Sequence, residues 1–286
     1  MAITRSQLVK ELEPGLNALF GLEYKRYENE HEQIFSIETS DRAFEEEVML
    51  TGFGSAPVKT EGAGMAYDTA LESFTARYTH ETIAMAFALT EEAVEDNLYD
   101  RLSARYTKAL ARSMSNTKQV KAASVLNNGF TGGQFAGGDG VALMSIAHPT
   151  ALGPDFANRP VVAADLNETS LEQGIIDIAS FTDERGLKVA FTAERLMKTV
   201  QRTGTADNDI NAIKSMGLIP EGYSVNHYLT DTDAFFLLTD APNGLKMFNR
   251  SPIKTAFEGD FETGNVRYKA RERYSFGFSD PRGIYG

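Results

Sequence analysis

Cysteine is absent from this sequence, and basic residues are in the minority. Without cysteine among its 286 residues, disulfide bonds, thiolate metal sites and cysteine nucleophiles are excluded. The 28 lysines and arginines face 40 aspartates and glutamates, a formal net charge of −12. Because phosphate backbones are bound by basic surfaces, this balance argues against a protein that binds nucleic acid over a broad face. An acidic protein can instead lie beside nucleic acid without adhering to it.

Long apolar runs, a signal peptide and catalytic motifs are also missing. No apolar stretch approaches the length of a membrane span, so we expect synthesis in the cytoplasm and no membrane partner. The glycines of residues 51–65 do not have the spacing of a nucleotide-binding loop, and we find no nucleophile–base constellation. We therefore predict no enzyme activity, no cofactor and no metal. The four histidines lack metal-ligand spacing, and we expect ordinary hydrogen-bonded side chains at His31, His80, His148 and His227.

The dominant pattern in the sequence predicts a long helix over residues 90–128. Thr90 can cap its first turn, and Asn127 to Gly129 can end it. At about 1.5 Å per residue this helix would be about 57 Å long, which favours a structural beam over a catalytic element. Its single apolar stripe comes from residues spaced four apart: Val94, Leu98, Leu102, Tyr106, Leu110 and Met114.

The region before this helix predicts an arm followed by a protruding loop. Residues 1–22 have the pattern of a short amphipathic helix that Pro14 should interrupt, which predicts either two helical pieces or an arm. Residues 23–47 are dense in acids and are either a solvated loop or an arm that orders against a neighbouring subunit. Residues 51–65 are rich in glycine, and residues 73–89 are rich in strand formers. We predict a two-stranded excursion with a glycine-rich tip.

The middle of the chain alternates helix and strand and predicts an α/β core. We expect a helix from Ser170 and a second over residues 192–202. Strands are predicted at residues 141–146, 187–191, 223–228 and 234–239. Asp207, Asp209 and Asn211 have the alternating oxygens of a calcium loop. The required glycine and bidentate glutamate are replaced by Ala212 and Leu218, so turn and helix capping is the better interpretation.

The C-terminal part is rich in strands. Residues 244–250 and 253–258 should form a pair joined by a turn. Residues 266–278 then alternate, which places an apolar face against the long helix. The opposite face carries Arg267, Lys269, Arg271 and Arg273. On an acidic protein, a solvated or acid-paired face is a better interpretation of this basic row than a nucleic-acid reader.

This order of parts resembles the major capsid protein of tailed bacteriophages, which has the Hong Kong 97-like fold. Residues 205–211, 217–220 and 230–240 are similar to axial-domain segments of Mu-like phage head subunits, and residues 266–286 are similar to their closing strand. The resemblance implies an α+β fold with an N-terminal arm, an extended β-hairpin loop, a peripheral domain with a long spine helix and long strands, and an α/β axial domain. The implied bounds are 1–47 for the arm, 48–86 for the loop, 87–130 with 244–280 for the peripheral domain, and 131–243 with 281–286 for the axial domain.

The same resemblance implies a function in assembly. Subunits would form pentamers and hexamers of an icosahedral virion shell that encloses double-stranded DNA without sequence-specific binding, assembled in the bacterial host cytoplasm. Portal and decoration proteins are implied partners, and the start at Met1 directly before the arm leads us to expect a separate scaffolding protein. The extended loop would contact a neighbouring subunit through Phe53, Lys59 and Tyr67. Some family members cross-link a loop lysine, but no motif here marks an asparagine partner for Lys59.

Two alternatives remain open from the sequence. One is a nanocompartment shell of the encapsulin type, which shares the fold but holds cargo in place of a genome. The other is an oligomeric enzyme on an α/β domain of residues 131–243, with the arm and loop serving only for association. An enzyme of that kind should stop at a small closed oligomer, whereas a shell subunit should form particles.

Overall fold

The computed structural model describes residues 5–26, 28–90, 99–198, 217–260 and 264–286. Within them the helices are α1 (Arg5–Tyr24), α2 (Tyr99–Asn127) and α3 (Glu168–Ala179). The first strands are β1 (Ser36–Thr39), β2 (Phe44–Leu50), β3 (Glu72–Thr79), β4 (Glu81–Leu89) and β5 (Ala193–Lys198). The remaining strands are β6 (Tyr223–Val225), β7 (Phe235–Thr239), β8 (Leu245–Gly259), β9 (Val266–Phe278) and β10 (Ile284–Tyr285).

The first sheet has the strand order β1-β8-β9-β4 and is built around two long antiparallel strands. Strand β9 has the predicted bounds, and its alternating residues are buried on one face and exposed on the other, as predicted. The predicted turn between two shorter strands is wrong, because β8 is one 15-residue strand. The pairing of β8 with β9 shifts register on either side of Ser251. Pro252, which has no backbone N–H to donate, lies at this irregularity and therefore does not end the strand.

The long helix α2 lies on the buried face of the first sheet, as predicted. Leu110 and Met114 pack against Tyr268 of β9. Helix α1 adds Leu16 and Phe20 to the same cluster. The prediction that Pro14 divides α1 is wrong, since the helix continues through it and packing on the core holds its second half in place. The predicted helix cap at Thr90 concerns a helix start that lies outside the described ranges. Val94 and Leu98, two predicted members of the apolar stripe, also lie outside them.

The second sheet has the order β10-β7-β5-β6, and α3 packs on it through Leu171 and Ile178. The helix α3 and the strand β7 confirm the predictions for those segments. The helix predicted for residues 192–202 is wrong, because its described part is strand β5, which pairs with β6 and β7 on its two sides. Residues 141–146 and 187–191 are irregular and not strands. Their backbone groups form hydrogen bonds outside the two sheets. For example, the Met144 N–H donates to the Gly129 carbonyl at 2.8 Å.

Strands β2 and β3 form the predicted two-stranded excursion, but residues 81–89, predicted as part of it, are strand β4, which pairs with β9 in the first sheet. They pair antiparallel from Phe44 opposite Thr79 to Leu50 opposite Glu72, and residues 51–71 form an extended tip without regular structure. The segment before it, predicted as an arm, makes contacts within the subunit: α1 packs on α2, and β1 pairs in parallel with β8. The two sheets share one core, since Met197 and Phe236 of the second sheet cluster with Met247 and Tyr274 of the first.

Candidate assembly interface

The tip of the β2–β3 hairpin carries several large apolar side chains that are mostly exposed to solvent. Tyr67 is 98% exposed and Val58 is 95% exposed, and Phe53 and Met65 also lie largely in solvent. The structure places Phe53, Lys59 and Tyr67, the residues predicted for an intersubunit contact, on this one tip. Clustered exposed apolar groups of this kind mark surfaces that bind another protein.

The tip is nevertheless tied to the rest of the subunit by a polar latch at Asp68 and Arg185. Arg185 Nη1 lies 2.9 Å from Asp68 Oδ2, and its second nitrogen donates to the Thr69 carbonyl. The backbone N–H of Gly54 also donates to Asp68 Oδ2, at 2.8 Å. The hydrogen bonds from the N–H groups of Gly54 and Thr69, and then Arg185, hold the pKa of Asp68 below its usual range. The loop therefore has a defined path although its side chains are exposed.

The base of the hairpin is anchored by a buried lysine. Lys246 of β8 is only 5% exposed, and its ammonium group lies 2.9 Å from Glu38 and also contacts Glu47 of β2. Ser279 donates to Glu47 and lies 2.5 Å from the Tyr78 hydroxyl. Burial lowers the pKa of Lys246, but its hydrogen bonds to the two carboxylates outweigh burial and raise that pKa overall. The lysine is thus held as a cation that joins the hairpin to the first sheet.

Glu184 links the hairpin to the second sheet's domain. Its carboxylate lies 2.9 Å from Arg282 Nη2, and both side chains are buried. It also accepts hydrogen bonds from Ser73 of β3 at 3.1 Å and from the Ala151 N–H at 2.9 Å. The Arg282 guanidinium lies 4.3 Å from the ring centre of Phe156. This ion pair is fully hydrogen-bonded, which a buried charge requires.

None of these anchors was identified from the sequence. Asp68 and Arg185 are separated by 117 positions, and Glu184 and Arg282 by 98. No local pattern marks either pair. Only covariation within an alignment could reveal such distant partners.

The histidines confirm the prediction of ordinary hydrogen-bonded side chains at three of the four positions. His148 lies 2.7 Å from Asp139 and 3.1 Å from Asn158, His80 lies 2.9 Å from Ser40, and His227 lies 2.6 Å from Glu30. At His31 the backbone N–H donates to Gln119, and ring atom Nδ1 is buried without a partner. Among the described residues, no group of three or more potential ligands could hold a metal ion.

Burial sets the protonation of two of these histidines. It lowers the pKa of His80, to which the nearby Arg273 adds charge repulsion. It also lowers the pKa of His31.

Of the helices described, none has the length and apolar character needed to cross a bilayer.

Comparison with known proteins identifies the class of fold. No protein-family model matches the sequence, and no curated protein matches it. The structure matches the virus-like particle from Pyrococcus furiosus with a TM-score of 0.56 and 9% identity, over 95% of this chain and 97% of that one. It matches the capsid of an empty GTA particle with a TM-score of 0.54 and 13% identity, over 90% and 88% of the chains. The procapsid of bacteriophage JBD30 matches with a TM-score of 0.53 and 15% identity, over 99% and 75%.

These matches place the chain in a class of α+β folds shared by proteins of capsids and virus-like particles. The predicted Hong Kong 97-like fold of tailed-phage major capsid proteins is thereby confirmed, with its extended hairpin and long helix. At 9–15% identity the similarity establishes the fold.

Proposed function

We propose that this chain is a structural major capsid protein that self-assembles as pentamers and hexamers into an icosahedral shell around phage double-stranded DNA. The observation that carries the proposal is the similarity to capsid and virus-like-particle proteins over nearly the whole chain, together with a hairpin tip whose apolar side chains are exposed in the monomer. A shell uses the same few surfaces in every subunit, so one apolar contact is repeated many times and stabilises the whole assembly.

In this proposal the parts keep the roles implied by the resemblance. Residues 1–47 are the N-terminal arm, 48–86 the extended loop, 87–130 with 244–280 the peripheral domain, and 131–243 with 281–286 the axial domain. The structure adds that α1 and β1 already pack within the subunit. The part of the arm free to reach a neighbour is therefore shorter than the full segment.

The hairpin tip is the proposed contact with a neighbouring subunit, made by Phe53, Lys59 and Tyr67. The two aromatic rings supply apolar area, and Lys59 supplies a charge on an otherwise uncharged stretch from Thr51 to Thr60. Buried aromatic anchors dominate the energy of most protein interfaces. The latch at Asp68 and Arg185 limits the freedom of the tip, which reduces the entropy lost on docking.

The acidic composition fits a container for DNA. With a net charge of −12, the subunit as a whole would repel packed DNA more than it binds it. We propose the virion capsid as the location, assembly in the bacterial host cytoplasm, and partnership with a separate scaffolding protein, a portal and a decoration protein.

A second candidate shares the fold. It is a nanocompartment shell of the encapsulin type, which would enclose protein cargo in place of a genome, and the match to a virus-like particle from Pyrococcus furiosus is compatible with either candidate. Gene neighbourhood separates the two, since terminase and portal genes accompany a phage capsid and a cargo gene accompanies a nanocompartment. An oligomeric enzyme is the least supported reading, since the matched structures are capsids and a virus-like particle.

Negative-stain electron microscopy of the purified protein tests the proposal. The protein should form closed, angular shells tens of nanometres across, alone or with its scaffolding partner co-expressed. A uniform population of small oligomers with the partner present would contradict it and would favour the enzyme. Nucleic acid inside native particles supports the phage capsid, and a co-purifying cargo protein supports the nanocompartment.

A further inference from the structure

The outer face of the first sheet carries a row of cations bordered by alanines. Lys269 of β9 lies opposite Ala86 of β4 on one side and Ala256 of β8 on the other. Arg271, two residues along, lies opposite Ala84 of β4 on its β4 side. The small side chains leave an open trough of about 420 Å³ that is lined mainly by alanines together with the cations Lys254, Lys269 and Arg271. It is a concave, positively charged surface on a protein that is acidic as a whole.

The cations of this trough are not neutralised within the subunit. Arg267, at one end of the row, is paired with Asp260. Lys254 lies directly opposite Arg271 on the neighbouring strand, and like charges in that arrangement repel. Among the residues that the structure describes, no acid is paired with Lys254, Lys269 or Arg271. The fold therefore retains a local repulsion that a bound anion would remove.

The strand beside the row has a free edge. Strand β4 is the last in the order β1-β8-β9-β4, and within the described ranges its other edge pairs with no strand. After Glu81 the strand is uncharged through Leu89, and Met85 is 49% exposed. A long, uncharged edge strand invites another strand to pair with it, and proteins usually block such edges with charge, bulges or a cover. Between Thr82 and Leu89 the described strand has neither a charged side chain nor a bulge.

We propose that this edge and trough bind an extended, carboxylate-bearing segment of a second copy of the chain, which adds as a fifth strand beside β4. The added strand would lie about 4.8 Å from β4, with alternate side chains on the outer face. The alanines at positions 84 and 86 let Lys269 and Arg271 reach over β4 to its carboxylates. Backbone hydrogen bonds then supply affinity, and the cations select an acidic strand.

Charge identifies the occupant. The chain carries 12 more acids than bases, so a second copy presents carboxylates at high local concentration in any assembly. Pairing of two β4 strands about a two-fold axis would instead bring two basic rows together. A second copy is also the partner that the proposed shell supplies at every subunit. The inference therefore rests on the proposed function for its partner.

Hydrogen–deuterium exchange of residues 81–89 tests strand addition in particles. The edge amides of β4 should exchange rapidly in unassembled protein and become at least tenfold slower in shells. Shells in which β4 exchanges as fast as in the free subunit would overturn the inference and leave the capsid function standing. Failure to form shells counts against the capsid function, and the following binding measurement then decides the inference.

Binding is measured on unassembled protein with an extended probe peptide of five Thr-Glu repeats. The peptide should bind at low salt, slow the exchange of β4 amides, and bind at least tenfold more weakly to the Lys269→Gln/Arg271→Gln variant. The matched control is Arg105→Gln/Lys108→Gln, which removes two exposed cations from α2, on the opposite side of the sheet. Equal loss in both variants, or no binding, overturns the inference. Stronger binding of a short DNA duplex than of the peptide would also overturn it and assign the trough to nucleic acid.

Discussion

Lys118 of α2 and Glu272 of β9 form a buried ion pair with a nitrogen–oxygen distance of 2.6 Å. The Tyr24 hydroxyl of α1 receives a hydrogen bond from Lys118 at 2.6 Å and donates one to Glu272 at 3.0 Å. Burial, and then the Glu272 charge, raise the pKa of Tyr24, so the hydroxyl stays a donor. Three elements distant in sequence are joined at one point beneath the sheet.

Removal of the cation from this cluster should be strongly destabilising. Glu272 is 1% exposed and its Oε1 atom has no hydrogen-bond partner, so Lys118→Met leaves a buried carboxylate whose charge is unpaired and whose remaining hydrogen bond comes from the Tyr24 hydroxyl. We expect a loss of about 3 kcal/mol in unfolding free energy, measured by urea denaturation of unassembled protein. The double variant Lys118→Met/Glu272→Leu should recover most of the loss. A single variant as stable as the wild type would show that the pair contributes nothing.

Two glycines of one loop should respond differently to alanine. A Cβ atom at Gly138 would lie 2.6 Å from the Thr75 carbonyl in β3, whereas at Gly132 it would meet nothing within 4 Å. Gly132 has φ −79°, which alanine adopts readily. We expect Gly138→Ala to destabilise the subunit by about 1–3 kcal/mol and Gly132→Ala to change it little, as measured by urea denaturation. Similar stabilities for the two variants would refute close packing of this loop on the hairpin.

Release of the latch should loosen the hairpin without unfolding the subunit. Arg185→Ala removes the partner of Asp68 and the bond to the Thr69 carbonyl. Limited proteolysis should then cleave residues 51–71 several-fold faster, while the urea midpoint stays close to that of the wild type. Lys188→Ala, which removes an exposed cation nearby in sequence, is the control and should not change the cleavage rate. Equal cleavage in all three proteins would mean that the latch does not restrain the tip.

Stability should fall on mild acidification because of His80. Burial, reinforced by Arg273, lowers the pKa of this imidazole in the folded state, so the unfolded chain binds a proton at higher pH. The contribution is complete above the unfolded pKa of roughly 6.5 and is lost as the pH falls through that value toward the folded pKa. We expect the urea midpoint to decrease from pH 7 to pH 5, and to decrease less in His80→Gln. An identical slope in the variant would exclude His80 as the cause.

The hairpin tip should matter for assembly and not for folding. Alanine at Phe53 and Tyr67 removes side chains that are 63% and 98% exposed, so the unfolding free energy should change by less than about 0.5 kcal/mol. Shell formation, followed by light scattering and electron microscopy, should be lost or need much higher protein concentration. Deletion of residues 52–64 should abolish shells altogether. Normal shells from either variant would contradict the proposed contact.

Segments with strong periodicity could be predicted from the sequence. Strand β9 spans 13 residues, and its bounds were predicted correctly because apolar side chains recur at nearly every second position from Val266 to Phe278. The helix α3 was also predicted, since Leu171 and Ile178 share a face, and the structure adds that Asn167 caps its first turn. Local signals suffice where local preference and tertiary packing agree.

Other segments could not be predicted because tertiary contacts decide them. Ala193, Leu196 and Met197 suit a helix as well as a strand, and pairing on both sides fixes β5 as a strand. The same is true of the candidate interface. The glycine-rich stretch indicated the tip that carries Phe53 and Tyr67, whereas no local pattern indicates that Arg185 contacts Asp68. Whether the tip contacts a neighbour stays a prediction.

The position of β10 has a consequence for synthesis. The edge of β7 is covered by Ile284 and Tyr285, and Asn158 donates to the carbonyls of Pro281 and Ile284. A ribosome must therefore translate β8 and β9 before the second sheet can close, although most of that sheet was made earlier. Until then the edge of β7 is unpaired in the nascent chain, because the residues that cover it follow β8 and β9. Both sheets then reach their final form together, so assembly-competent subunits appear only after residue 285 has been translated.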